Sequence, residues 1–140
     1  MTYSQYKDSG VAWVREIPVG WSILRPKFYL SKVKREPLDN DGVITCFRDG
    51  VVTLRSNRRT IGFTIALKEI GYQRILFGDL VVHEMDAFAG SIGVSDSIGK
   101  STPVYTVIEQ SEEYSVHFWK YLLREMSKTG FIESLSKGIR

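Results

Sequence analysis

The pair Asp49-Gly50, set between the runs Val43 to Cys46 and Val51 to Leu54, constrains this chain more than any other feature. β-Branched residues on both sides of a turn whose glycine tolerates positive backbone angles predict a β-hairpin over 43–54. Further short apolar runs follow, each bounded by turn residues. Leu80 to Val82 and Val104 to Ile108 read as strands, and Gly78-Asp79 marks the turn after Tyr72 to Phe77. Between Phe88 and Val94, the small residues Ala89, Gly90, Ser91 and Gly93 permit close backbone approach or a bulge. Ser95 to Thr102 reads as a loop. Ile61, Phe63, Ile65 and Leu67 alternate like a half-buried strand, while Ile61, Ile65 and Glu69 suit a short helix equally well. Earlier, Ile23 to Val33 is either a strand or an irregular helix start interrupted at Pro26, and Lys34 to Gly42 is a polar connection.

One stretch carries a helical period. Phe118, Leu122 and Met126 repeat at helix spacing, with Trp119 and Leu123 beside them. Ser111 is the expected N-cap, Glu112 and Glu113 fall in the first turn, and Lys120, Arg124 and Lys128 come later, which suits the helix dipole. Gly130 ends the pattern, so the helix is expected over about 112–128. The fold class that follows is α+β: a single domain over 1–140, with a curled, mostly antiparallel β-sheet and a C-terminal helix.

With 140 residues, 43% of them apolar, the chain suits one packed domain. No apolar run approaches the roughly 20 residues of a bilayer span, and no secretory signal is visible at the start. Cys46 is the only thiol, which leaves no internal disulfide and makes a cytoplasmic location the expectation. The net charge of +3 is modest, but eleven Lys and Arg stand against five acids between Arg25 and Arg74. A face turned toward phosphate would show this asymmetry, and so would an ordinary solvated face.

The run YKDSGVAWVREIPVGW, Tyr6 to Trp21, combines an Asp8-Ser9-Gly10 turn, the apolar anchor Trp13-Val14, and a bend at Pro18 and Gly20. It resembles the N-terminal entry segment (6–21) of the specificity subunit of type I restriction-modification systems, although Arg15 stands where that family more usually has glycine. A second stretch, YQRILFGDLVVHEMDAFAGSIGVSDSIGKSTPVYTVI from Tyr72, is similar to the central part of the target recognition domain of the same subunits. Gly78, Asp79, Met85, Gly90, Gly93, Pro103 and Tyr105 occupy matching places. HFWKYLLREM and the terminal SKGIR resemble the helix and the run that close that domain. The resemblance implies a target-recognition-domain-like fold that reads one half of a split site on double-stranded DNA. It also implies partners: a methyltransferase (modification) subunit, a restriction (endonuclease) subunit, and a second recognition domain or a second copy of the chain. It implies no chemistry of the chain's own and no cofactor.

Residue types able to read DNA then matter, since arginine pairs with guanine and asparagine with adenine. Arg55, Asn57, Arg58 and Arg59 cluster on one expected loop, and Lys100, Ser101 and Thr102 on another, where they could contact bases or phosphates. A solvated turn would account for the arginines equally well on their own. Most aromatic residues fit strand and helix patterns and are expected to fill the core, with Trp13 and Trp21 clamping the entry segment against the domain. An enzymatic reading finds little. Cys46, His83 and His117 lack metal-ligand spacing, and Asp79, Glu84 and Asp86 form no familiar nuclease pattern, so no metal is expected. The alternative from another class is a protein-interaction module that docks a partner through the apolar face from Phe118 to Met126.

Overall fold

The computed structural model describes residues 3–12, 14–58 and 68–135. The chain forms two compact units, 1–30 and 31–140. In the first, β1 (Tyr6–Asp8) and β2 (Glu16–Pro18) make an antiparallel ribbon in which Lys7 faces Ile17. Asp8 accepts a hydrogen bond from the Gly10 amide at 2.9 Å, and the Ser9 amide donates to the Arg15 carbonyl at 2.7 Å. Arg15 has φ +65°, the left-handed conformation that glycine adopts without cost. Trp13 lies outside the described residues, and Trp21 meets Tyr3 edge-on at 5.8 Å. The segment 23–33, expected as strand or helix start, holds both: one helical turn, α1 (Pro26–Tyr29), with proline in its first turn, and a two-residue strand at its end, Lys32–Val33.

The second unit is a small α+β domain of several antiparallel sheets and a C-terminal helix. Its largest sheet has four strands in the order β3 (Lys32–Val33), β10 (Tyr105–Ile108), β7 (Leu80–His83) and β8 (Ile92–Val94). Beside it lie two two-stranded pairs. The hairpin is β4 (Ile44–Cys46) with β5 (Val52–Leu54), as Asp49-Gly50 predicts, with Cys46 opposite Val52. The turn is longer than a two-residue one: the Gly50 amide donates to the Phe47 carbonyl at 3.0 Å, and only Gly50, at φ +88°, takes a positive angle. The other pair joins β6 (Gln73–Ile75) to β9 (Gly99–Ser101). The expected loop over Ser95 to Thr102 is corrected accordingly, because β9 satisfies its backbone against β6 and buries Ser101. Ile61 to Leu67 falls outside the described residues.

Ile44, Cys46, Val52, Ile75, Val81, Tyr105 and Val107 form the core between these sheets. Glycines set the spacing. A β-carbon on Gly93 would strike the Gly50 carbonyl oxygen, and one on Gly99 would strike that of Gly42. Both contacts bring the hairpin backbone directly onto β8 and β9.

Helix α2 spans Val116–Lys128, which corrects the expected start. Ser115, not Ser111, is the cap, its hydroxyl accepting from the Phe118 amide at 3.2 Å. Ser111 instead pairs with Tyr114 across a tight turn, and the buried Tyr114 donates its hydroxyl to the Glu109 carbonyl at 2.6 Å while accepting from the Ser31 amide at 3.1 Å. That anchorage holds 111–114 out of the helix and leaves Glu112 and Glu113 exposed before it. Gly130, at φ +79°, closes the helix region as expected, and a short α3 (Phe131–Leu135) follows. Arg124 reaches from α2 to the Gly90 carbonyl at 2.5 Å, fastening the helix to the turn that precedes β8.

Candidate functional site

A cleft of about 890 Å³ opens in the second unit, between the hairpin and the connection from β7 to β8. Arg48 and Asp49 lie in the hairpin turn, while Arg55 leaves β5 at the hairpin's other end, where its amide donates to the Val43 carbonyl at 2.7 Å; the short 3₁₀ turn over Arg55–Asn57 then lets the Arg58 side chain reach back to Asp49. Two carboxylates hold two of the guanidiniums. Arg58 makes a bidentate pair with Asp49 at 2.9 and 2.5 Å and lies over the Phe47 ring at 4.4 Å. This hydrogen bonding draws the Asp49 carboxyl down to about 2. Arg48 pairs with Asp86 at 3.1 Å. Arg55 donates through Nε to Thr45 Oγ1 at 3.1 Å.

Away from the arginines the lining is more buried and carries no carboxylate or guanidinium. Cys46, His83, Ser91, Thr102 and Tyr105 form it. Burial pushes the Cys46 thiol up to about 12, which favours its protonated form. Burial also raises the Tyr105 phenol, whose oxygen accepts from the Cys46 amide at 3.1 Å. His83 packs against Tyr105 with ring centroids 4.8 Å apart, and burial lowers its pKa, partly opposed by Asp86. Its Nδ1 accepts from the Met85 amide at 3.3 Å, which assigns the proton of the neutral ring to Nε2. The hydroxyls of Ser91 and Thr102 are shut off from solvent and have no hydrogen-bond partner among the described residues.

Of the residues expected to contact DNA, Arg55, Arg58 and Thr102 line this cleft. Asn57 is exposed beside it and donates to Thr53 Oγ1 at 2.9 Å. Arg59 lies outside the described residues. Lys100 pairs with Glu69 at 2.7 Å, and Ser101 is fully buried with its hydroxyl turned to the Thr102 carbonyl. Arg48, Asp49, His83, Asp86 and Ser91 were not among the expected contacts, and tertiary packing rather than a local sequence signal brings them to the cleft. The acidic residues weighed for a nuclease are engaged separately: Asp79 with Arg35 at 2.6 Å, and Glu84 with the Thr106 hydroxyl at 2.7 Å. Among the described residues no group of three His, Cys, Asp or Glu gathers as a metal site, and no helix is long and apolar enough to cross a membrane.

A basic, partly enclosed cleft on a small α+β scaffold is the class of site this chain presents. No protein-family model, curated protein or solved structure matches the chain.

Proposed function

We propose that this chain is a sequence-specific reader of double-stranded DNA, a target recognition domain of the type I restriction-modification specificity subunit. The observation that carries the reading is the convergence of Arg48, Arg55 and Arg58 on one cleft. Arginines on turns held by a rigid hairpin can reach base edges or phosphates, and the residue types suit guanine and backbone contact. The sequence resemblance from Tyr6 to the terminal SKGIR supplies the biological setting. In that setting the domain reads one half of a bipartite target in the cytoplasm. It has no catalysis of its own and positions methyltransferase and endonuclease subunits, with a second recognition domain or a second copy reading the other half.

One feature favours a second reading. Phe118 and Tyr121 on α2 are 60% and 68% exposed, and Leu122 is exposed beside them, an apolar face available to a protein partner. Selection from a randomised duplex pool at low and moderate salt separates the two, with the intact protein compared against Arg55→Ala/Arg58→Ala. Enrichment of one short motif, relaxed in the variant and weakened steeply by salt, supports DNA reading. No retention of duplex even at low salt sinks it and favours the helix face as a protein-docking surface.

A further inference from the structure

We infer that Asp49 is a positioning residue, which fixes the Arg58 guanidinium so that its remaining edge reads one guanine of the target. The inference rests on the DNA reading above and names the base that this part of the site selects.

Phe47 and Asp49 stand on one turn, where the Gly50 amide donates to the Phe47 carbonyl at 3.0 Å. The Asp49 carboxylate is itself anchored there, since its Oδ1 accepts from the Val51 amide at 3.1 Å. That turn holds Arg58 in two ways. Nη1 and Nη2 of Arg58 donate to the two Asp49 oxygens at 2.9 and 2.5 Å, and its guanidinium carbon lies 4.4 Å from the Phe47 ring centroid. A carboxylate that grips the end of a guanidinium leaves a second fork, the Nε hydrogen and the outer Nη2 hydrogen. No partner for that edge is found among the described residues, and the side chain is 40% exposed.

Two parallel donors in a fixed plane match the N7 and O6 acceptors of guanine. Adenine and thymine each offer one acceptor in the major groove, and cytosine none. Charge argues the same way. Asp49 offsets the charge of Arg58, which weakens its pull on a phosphate but leaves its hydrogen bonding to a neutral base edge. Arg48 is held less firmly. It makes one bond to Asp86 at 3.1 Å, the Phe88 ring lies 5.9 Å away, and its side chain is 65% exposed, which suits a phosphate contact that tolerates movement.

The test repeats the duplex selection with the intact protein, Asp49→Asn and Arg58→Lys. Each guanine of the enriched duplex is then replaced in turn by 7-deazaguanine, which lacks the N7 acceptor. One guanine is expected whose 7-deaza form weakens the intact protein roughly tenfold. Asp49→Asn should bind unselected duplex at least as tightly as the intact protein, because Arg58 is released toward phosphate, yet lose roughly tenfold of the preference for that guanine. Arg58→Lys should lose the same preference, and the 7-deaza form should weaken neither variant further. Preference at the other positions should stay, which a merely structural role for Asp49 would not predict. A motif without guanine, or a guanine preference that survives Asp49→Asn, overturns the inference and leaves DNA reading intact. So does a 7-deazaguanine scan of the intact protein in which no position weakens binding. Preference lost at every position together with a lowered melting temperature overturns it as well, since Asp49 would then only hold the hairpin turn. No retention of duplex overturns both readings.

Discussion

Arg35 grips the buried carboxylate of Asp79 through two guanidinium nitrogens, at 2.6 and 3.2 Å. The same carboxylate accepts the Leu76 amide at 2.8 Å, so one side chain ties the connection after β3 to the turn that launches β7. A negative charge shut away from water depends on that cation.

Arg35→Met therefore leaves a buried carboxylate with no cation and should cost about 3 kcal/mol. The urea midpoint should fall at unchanged slope, and Arg35→Met/Asp79→Asn should recover part of the loss. A midpoint unmoved by Arg35→Met would show that the pair does not hold the β7 turn.

Arg15 occupies left-handed backbone at φ +65°. An L side chain there is strained by about 1 kcal/mol, and the gain on relieving it is reduced by the extra freedom glycine has when unfolded. Arg15→Gly should slow exchange of the Ser9 amide, which donates to the Arg15 carbonyl. Arg15→Val should speed it. Equal protection in all three proteins would rule strain out.

Gly93→Ala should destabilise by about 2 kcal/mol, because its β-carbon meets the Gly50 carbonyl oxygen, a backbone atom that cannot swing aside. Thermal melting checks this, with Gly20→Ala as a control in open space.

Burial holds the His83 imidazole below its ordinary value of 6.5, so near that pH the unfolded chain binds a proton that the folded chain refuses. The contribution of His83 is fully present above 6.5 and is lost as the pH falls toward the folded value. Urea midpoints compared at roughly pH 5 and roughly pH 7.5 should converge in His83→Gln relative to the parent.

Asp49 competes with any phosphate for Arg58. Asp49→Asn should tighten duplex binding several-fold and steepen its salt dependence by about one counterion. Unchanged binding across the salt range would remove Arg58 from the DNA-contacting set.

The hairpin, the Leu80 and Tyr105 strands and the end of α2 are legible in the sequence, because each depends on neighbours a few residues away: Asp49-Gly50, β-branched runs, and Gly130. The start of α2 is not. Two serines could cap it, and the choice falls to Tyr114, whose hydroxyl is anchored to Glu109 and Ser31. Strand β9 is hidden for a similar reason, since Gly99, Lys100 and Ser101 have weak strand preference and become a strand by pairing with Gln73 to Ile75. At the cleft, Arg55 and Arg58 are visible as a cluster, but Ser91 and His83 join them only through tertiary packing.

In the largest sheet, Val33 lies beside Val107 and Lys32 beside Ile108. The two-residue strand β3 can thus form only after its partner has been synthesised and a long intervening chain has been drawn closed, at an entropic cost. Pairings so remote along the chain make folding slow, and until this one forms the β10 edge stays open to the strands of neighbouring molecules. Aggregation during refolding should start at that edge, and a soluble peptide matching the Lys32–Val33 region and its flanks should suppress it by occupying the vacant position.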